Sequence, residues 1–150
     1  MKEKVQLISG AVIFRPKRIG YVWFLVKKNP EDNWEILKSI VRKGESSVRA
    51  SIRASEEQAG MKAKVLAEAG RVNAVTRDNG KVIKQKYLYY FMLYKIGGEV
   101  LGFSDHIWLD YQKASRKLSS KRDKIMLKNA YNLFKEWKKK QKKRGRPRKI

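Results

Sequence analysis

Apolar positions along the chain change period several times, and each change marks an element. Val5 to Phe14 is a nearly continuous apolar run, read as a first strand in which Gly10 permits a bend or a close backbone approach. The turn Arg15–Gly20 leads into a second, buried strand from Gly20 to Lys27, and the two form a hairpin. After the loop Asn29–Asn33, a short strand is predicted over Trp34–Leu37. From Ser46 to Ala59 the period becomes helical, with Ser46 or Ser47 as cap and Gly60 in the left-handed position that ends the helix. Val48, Ile52, Ser55 and Ala59 share a stripe expected to pack on the sheet, leaving Ala54, Glu57 and Gln58 on another face.

The second half continues with a strand over Lys64–Arg77, a hairpin turn at Arg77-Asp78-Asn79-Gly80, and a partner strand over Val82–Ile96. The unbroken aromatic run Tyr87–Tyr94 suits a strand covered on both faces, and Gly97-Gly98 ends it. Ile107–Leu109 reads as a last short strand and Tyr111–Leu118 as a short helix. A C-terminal helix follows from Lys121 to roughly Lys139, with Ile125, Leu127, Ala130, Leu133, Phe134 and Trp137 as its apolar side. Residues 1–138 therefore read as one domain and 139–150 as a basic, disordered tail.

Charge adds a partner class. The formal net charge is +23; nine cations and no acid lie between Lys138 and Ile150, leaving +14 on the remainder. Such a field attracts polyanions. The absence of Cys removes thiol catalysis, disulfides and Cys-based zinc sites, and His106 as the single His removes multi-His metal sites. Neither a secretory segment nor a bilayer-length apolar run is visible, so a cytoplasmic or nucleoid-associated location without membrane contact is expected.

Candidate chemistry concentrates between Trp34 and Met61. Glu45, Arg53, Glu57, Gly60 and Met61 stand in one ungapped register that resembles the Nudix box, G-x₅-E-x₇-R-E-U-x-E-E-x-G-U, with U a bulky aliphatic residue. Trp34, Lys38 and the Gly44-Glu45-Ser46 triplet extend the likeness, with Leu37 in place of a Pro, and Trp108-Leu109 before a final helix is similar to diadenosine polyphosphate hydrolases. The resemblance implies a Nudix-type α/β/α sandwich with a mixed sheet, and divalent-cation hydrolysis of phosphoanhydrides. Three positions depart from the pattern: Ser39 replaces the first Gly, Ala54 the Glu after Arg, and Gln58 the second Glu of the pair.

Two of those departures, Ala54 and Gln58, fall where carboxylates at i, i+3 and i+4 would converge on Mg or Mn. Glu57 and Glu45 remain as catalytic and metal-ligand candidates, with Gln58 able to lend a neutral oxygen. Glu56 points away by about 100° of helix rotation. Arg53 and Gly60 are assigned to bracing the box, and Lys38 and Arg42, both placed in the loop, to contacting a nucleotide polyphosphate. Glu99, Asp105 or Asp110 could replace the missing carboxylates if the fold brings them close. The tail, Arg144-Gly145-Arg146-Pro147-Arg148, resembles an AT-hook, which implies DNA minor-groove binding; RNA phosphates would satisfy the same charge. The reading is a Nudix-fold protein with an eroded cation site, weak or lost hydrolysis and nucleic-acid binding. An active metal-dependent hydrolase and a structural, ribosome-associated RNA-binding protein are the alternatives.

Overall fold

The structure, a computed structural model, describes residues 5–144. Its elements run β1 (Val5–Pro16), β2 (Tyr21–Lys27), β3 (Leu37–Ile40), α1 (Ser47–Glu57), β4 (Met61–Asp78), β5 (Lys81–Gly97), β6 (Asp105–Leu109), α2 (Tyr111–Lys117) and α3 (Lys121–Arg144). The strands form one mixed sheet in the order β4-β5-β1-β2-β6, with β3 also paired to β1. The β1–β5 pair is parallel and the other pairs are antiparallel. This is the α/β/α sandwich, with α1 on one face and α2 and α3 on the other.

Because β1 is central, both its faces are covered, which explains its unbroken apolar run. Ile8, Val12 and Phe14 join the core beneath α3, whereas Ala11 and Ile13 join the core beneath α1. The aromatic run of β5 divides the same way: Tyr87, Tyr89 and Phe91 face α3, and Tyr90 and Met92 face α1. Gly10 serves a close approach, since a Cβ there would lie 2.5 Å from the Tyr89 ring. The β4–β5 turn uses Asn79 (φ 51°) and Gly80 (φ 77°), the two left-handed residues that a tight hairpin requires.

Four expectations are corrected. The strand predicted over Trp34–Leu37 instead spans Leu37–Ile40, and Trp34 and Glu35 make only isolated bridges to Leu118 and Val26. The ladder with β1 begins at the Ala11–Leu37 pair, and the Ile36 N–H donates instead to the Asp123 carboxylate at 3.1 Å. Of the stripe expected on α1, Ser55 and Ala59 are buried, but Val48 and Ile52 are only half-buried, and Ala50, Ser51 and Ala54 are buried in addition. Small side chains let α1 sit close to the sheet, where Ser9 Oγ donates to the Ser47 carbonyl at 2.6 Å and Ser39 Oγ to the Ala50 carbonyl at 3.2 Å. On α3, Ile125 is 56% exposed while Met126 is buried. Turning Asp123 into the core sets that helix's phase, bringing Leu127, Ala130 and Phe134 inward one, two and three turns later. Finally, α3 continues through Arg144 rather than stopping near Lys139.

Candidate functional site

The box is a loop and helix clamped chiefly by the Arg53–Glu45 ion pair. Ser46 caps α1, its hydroxyl accepting from Arg49 N at 3.2 Å. Arg53 reaches back across the loop and donates from Nε to Glu45 Oε2 at 2.8 Å and from Nη2 to Glu45 Oε1 at 3.0 Å. The same Nη2 donates to the Ile40 carbonyl at 3.0 Å, and Arg42 N donates to Glu45 Oε1 at 3.1 Å. Hydrogen bonds from Arg53, with that from the Arg42 amide second, hold the Glu45 carboxyl at about 2, well below its ordinary 4.5. Both oxygens of Glu45 are thus engaged within the loop. Gly60 (φ 61°) ends the helix against a crossing segment, where Gly98 N donates to its carbonyl at 2.9 Å and Gly102 N to that of Gln58 at 3.0 Å.

The three positions where carboxylates would converge differ in placement. Ala54 is 1% exposed and belongs to the core beneath α1, so the sequence assignment of Ala54 to a face away from the sheet is corrected. Glu57 is exposed, 3.7 Å from Arg42 and 3.9 Å from Arg53. Gln58 is half-buried, and Glu56 is exposed. Ser39 is an ordinary strand residue whose hydroxyl ties β3 to α1. The aliphatic position of the pattern holds Ser55, a further departure, buried with its hydroxyl on the Ser51 carbonyl at 2.8 Å. Of the other acids considered, Asp110 caps α2 by accepting from Lys113 N, Asp105 accepts from His106 N, and Glu99 is exposed. Among the described residues, no three His, Cys, Asp or Glu side chains are grouped to hold a cation.

On the opposite face of the sheet lies a cleft of about 720 Å³, walled by β1, β3, β5 and the start of α3. Lys38, assigned to the loop from sequence, lies on β3 and lines this cleft. Its Nζ is 2.7 Å from Asp123 Oδ2 and donates to the Ile36 carbonyl at 3.1 Å. Asp123 is fully buried, and its Oδ1 accepts from the Tyr89 hydroxyl at 2.7 Å. Burial, then the Asp123 charge, pushes that hydroxyl above its ordinary acidity range. The Arg122 guanidinium lies 3.8 Å from the Tyr87 ring centroid, and its buried Nε has no hydrogen-bond partner among the described residues. Gln85 bridges Gln6 and the Tyr87 hydroxyl at 2.8 and 3.2 Å, adding amide edges, and Trp34 adds an aromatic wall. Arg42 remains in the loop, exposed.

Sequence reasoning missed Asp123 and Arg122. The available signal was an acid at the start of a helix otherwise crowded with Lys. Tyr89 is core, Tyr94 packs with Arg15 and Trp108, and Tyr87 lines the cleft. Gly145, Arg146, Pro147 and Arg148 lie outside the described residues, and Arg144 is described only as helical backbone. No described helix is long and apolar enough to cross a membrane.

No protein-family model matches the chain, and no curated protein matches it in sequence. Solved structures do. A C. elegans Ap4A hydrolase binary complex aligns with a TM-score of 0.69 at 17% identity, covering 87% of this chain and 98% of that one. The NUDIX domain of Shewanella oneidensis NrtR, complexed with ADP ribose, aligns at 0.63 and 15% identity, over 89% and 90%. The E. coli dihydroneopterin triphosphate pyrophosphohydrolase aligns at 0.61 and 11% identity, over 83% and 95%. The sheet order, the flanking helices and these alignments over nearly whole domains together identify the fold as that of the Nudix hydrolases.

Proposed function

We propose that this protein binds nucleotide polyphosphate in a Nudix-type site whose cation centre is eroded, so that hydrolysis is weak or lost, and that it also binds nucleic acid. The observation that carries the reading is the set Ala54, Glu57 and Gln58. One position is buried apolar, one is neutral, and the remaining carboxylate lies within 4 Å of two Arg side chains. Mg²⁺ and Mn²⁺ take several oxygen ligands and favour anionic ones in phosphate chemistry. This donor set does not fit a multi-cation centre, and no hydrolytic step is assigned to it.

Binding has better support. The cleft has the volume of a small-molecule site, with an aromatic wall, amide edges and Arg122. A ligand seated there reaches the box around the edge of β3, where Arg42 meets its phosphates and Lys38 contributes from the cleft wall with its charge balanced by Asp123. Glu45, Arg53 and Gly60 hold the loop in shape. An active hydrolase is the second reading, favoured by the intact Glu45–Arg53 clamp and the exposure of Glu57. The Arg144–Arg148 segment supplies part of the affinity for DNA or RNA.

The test is hydrolysis of diadenosine tetraphosphate and a nucleoside triphosphate panel with Mg²⁺ or Mn²⁺, beside calorimetric binding of the same ligands. Wild type is expected to bind without turnover above the Glu57→Ala control. Turnover that disappears in that control would replace this reading with the enzyme. Gln58→Glu, at a half-buried position, is expected to raise Mn²⁺ affinity; adding Ala54→Glu raises it further while lowering stability, because a carboxylate enters a 1%-exposed site. No gain in either variant would refute the diagnosis of erosion.

A further inference from the structure

The solvent side of α3 carries a row of lysines. Lys121, Lys124, Lys128, Lys135, Lys139 and Lys142 are all exposed and recur at i, i+3, i+7, i+14, i+18 and i+21. At about 100° per residue the six fall within about 60° of arc, and at about 1.5 Å per residue the row is about 32 Å long. Asp123, Leu127, Ala130 and Phe134, centred about 120° round the helix from the row, are in the core, so the row lies along an outer flank of α3. From Lys124 to the end of the chain the one acid is Glu136, whose carboxylate sits 3.7 Å from Lys139.

A surface helix ordinarily alternates the signs of its charges, because like charges three and four residues apart work against the helix. Here that repulsion is left almost uncompensated over five turns. We propose that the α3 lysine row is the docking surface for duplex DNA on the folded domain. The inference rests on the nucleic-acid part of the proposed function but moves the main grip from the C-terminal segment to a structured helix. A row of about 32 Å matches about one helical turn of B-DNA. No exposed aromatic interrupts the row to stack unpaired bases, which single-strand recognition requires. In sequence the row runs directly into Arg144-Gly145-Arg146-Pro147, whose pattern suits the narrow A·T minor groove.

The experiment uses the full-length chain and a fluorescently labelled A·T-rich duplex of about two turns, titrated between about 50 and 200 mM salt. With each phosphate contact contributing about 0.9 to the log–log salt slope, Lys121→Gln/Lys124→Gln/Lys128→Gln should lower the slope by nearly 3 and the affinity by more than about tenfold. Thermal unfolding of this variant should match wild type, since all three side chains are exposed. A slope change below about 1 would overturn the proposal. So would an equal loss in Arg77→Gln/Lys81→Gln/Lys86→Gln, on the β4–β5 hairpin, because total charge would then explain the binding. A loss confined to Arg146→Gln/Arg148→Gln would refute the row and leave the C-terminal segment as the binding element. Equal or tighter binding of duplex RNA or single strands would refute the assignment to duplex DNA, and absence of binding by wild type would sink both nucleic-acid readings.

Discussion

Asp123 joins the start of α3 to β3 and β5, and its removal tests the architecture of the cleft. Its carboxylate accepts from Lys38 Nζ at 2.7 Å, Ile36 N at 3.1 Å and Tyr89 Oη at 2.7 Å, with the residue fully buried. Asp123→Ala strands the Tyr89 hydroxyl and the Ile36 amide and leaves an ammonium that is 14% exposed without its main partner. Breaking a buried pair from one side costs about 3–5 kcal/mol. Lys38 keeps the Ile36 carbonyl at 3.1 Å and a distant Glu35 at 4.0 Å, which places the expected loss near the lower end, about 3 kcal/mol. With a urea m-value of about 2 kcal/mol/M for a small domain, the unfolding midpoint falls by about 1.5 M, read by tryptophan emission. Lys38→Met in the Asp123→Ala background should cost less than in wild type, with a coupling of at least about 1 kcal/mol. A loss below about 1 kcal/mol for Asp123→Ala, or no coupling, would refute the claim that this trio anchors the helix to the sheet.

Two further outcomes follow from the box. Because Arg53 holds the Glu45 carboxyl at about 2 against an ordinary 4.5, its contribution to stability is fully present above pH 4.5 and declines as pH falls toward 2. The difference in Tm between wild type and Glu45→Gln should therefore shrink over that range; a difference that stays constant would show that the clamp is not ionic. Gly60→Ala should cost at least about 2 kcal/mol in urea unfolding, since φ is 61° and a Cβ would collide with the Glu99 carbonyl. Gly80→Ala, with φ 77° but open space, should cost only about 1 kcal/mol, and equal losses would discount the collision.

What the sequence determined by itself was whatever depends on near neighbours. The β4–β5 turn follows from Asn79 and Gly80, which tolerate positive φ, and the limits of α1 follow from Ser46 and Gly60. The continuous run Tyr87–Tyr94 announced a strand covered on both faces, because a half-exposed strand would alternate. The register of the box was legible through its resemblance to the Nudix pattern, which Glu45, Arg53 and Gly60 match without a gap. Tertiary structure decided the rest. Lys38 and Asp123 are separated by 85 positions, and no local period relates them. Their meeting accompanies a phase of α3 in which Met126 rather than Ile125 turns inward, and it holds Lys38 in the cleft wall instead of the loop. The short distance between α1 and the sheet made Ala54 a core residue, although its spacing alone placed it with Glu57 and Gln58. Periodicity reports which residues share a face; only packing decides which of those faces is buried and how deeply.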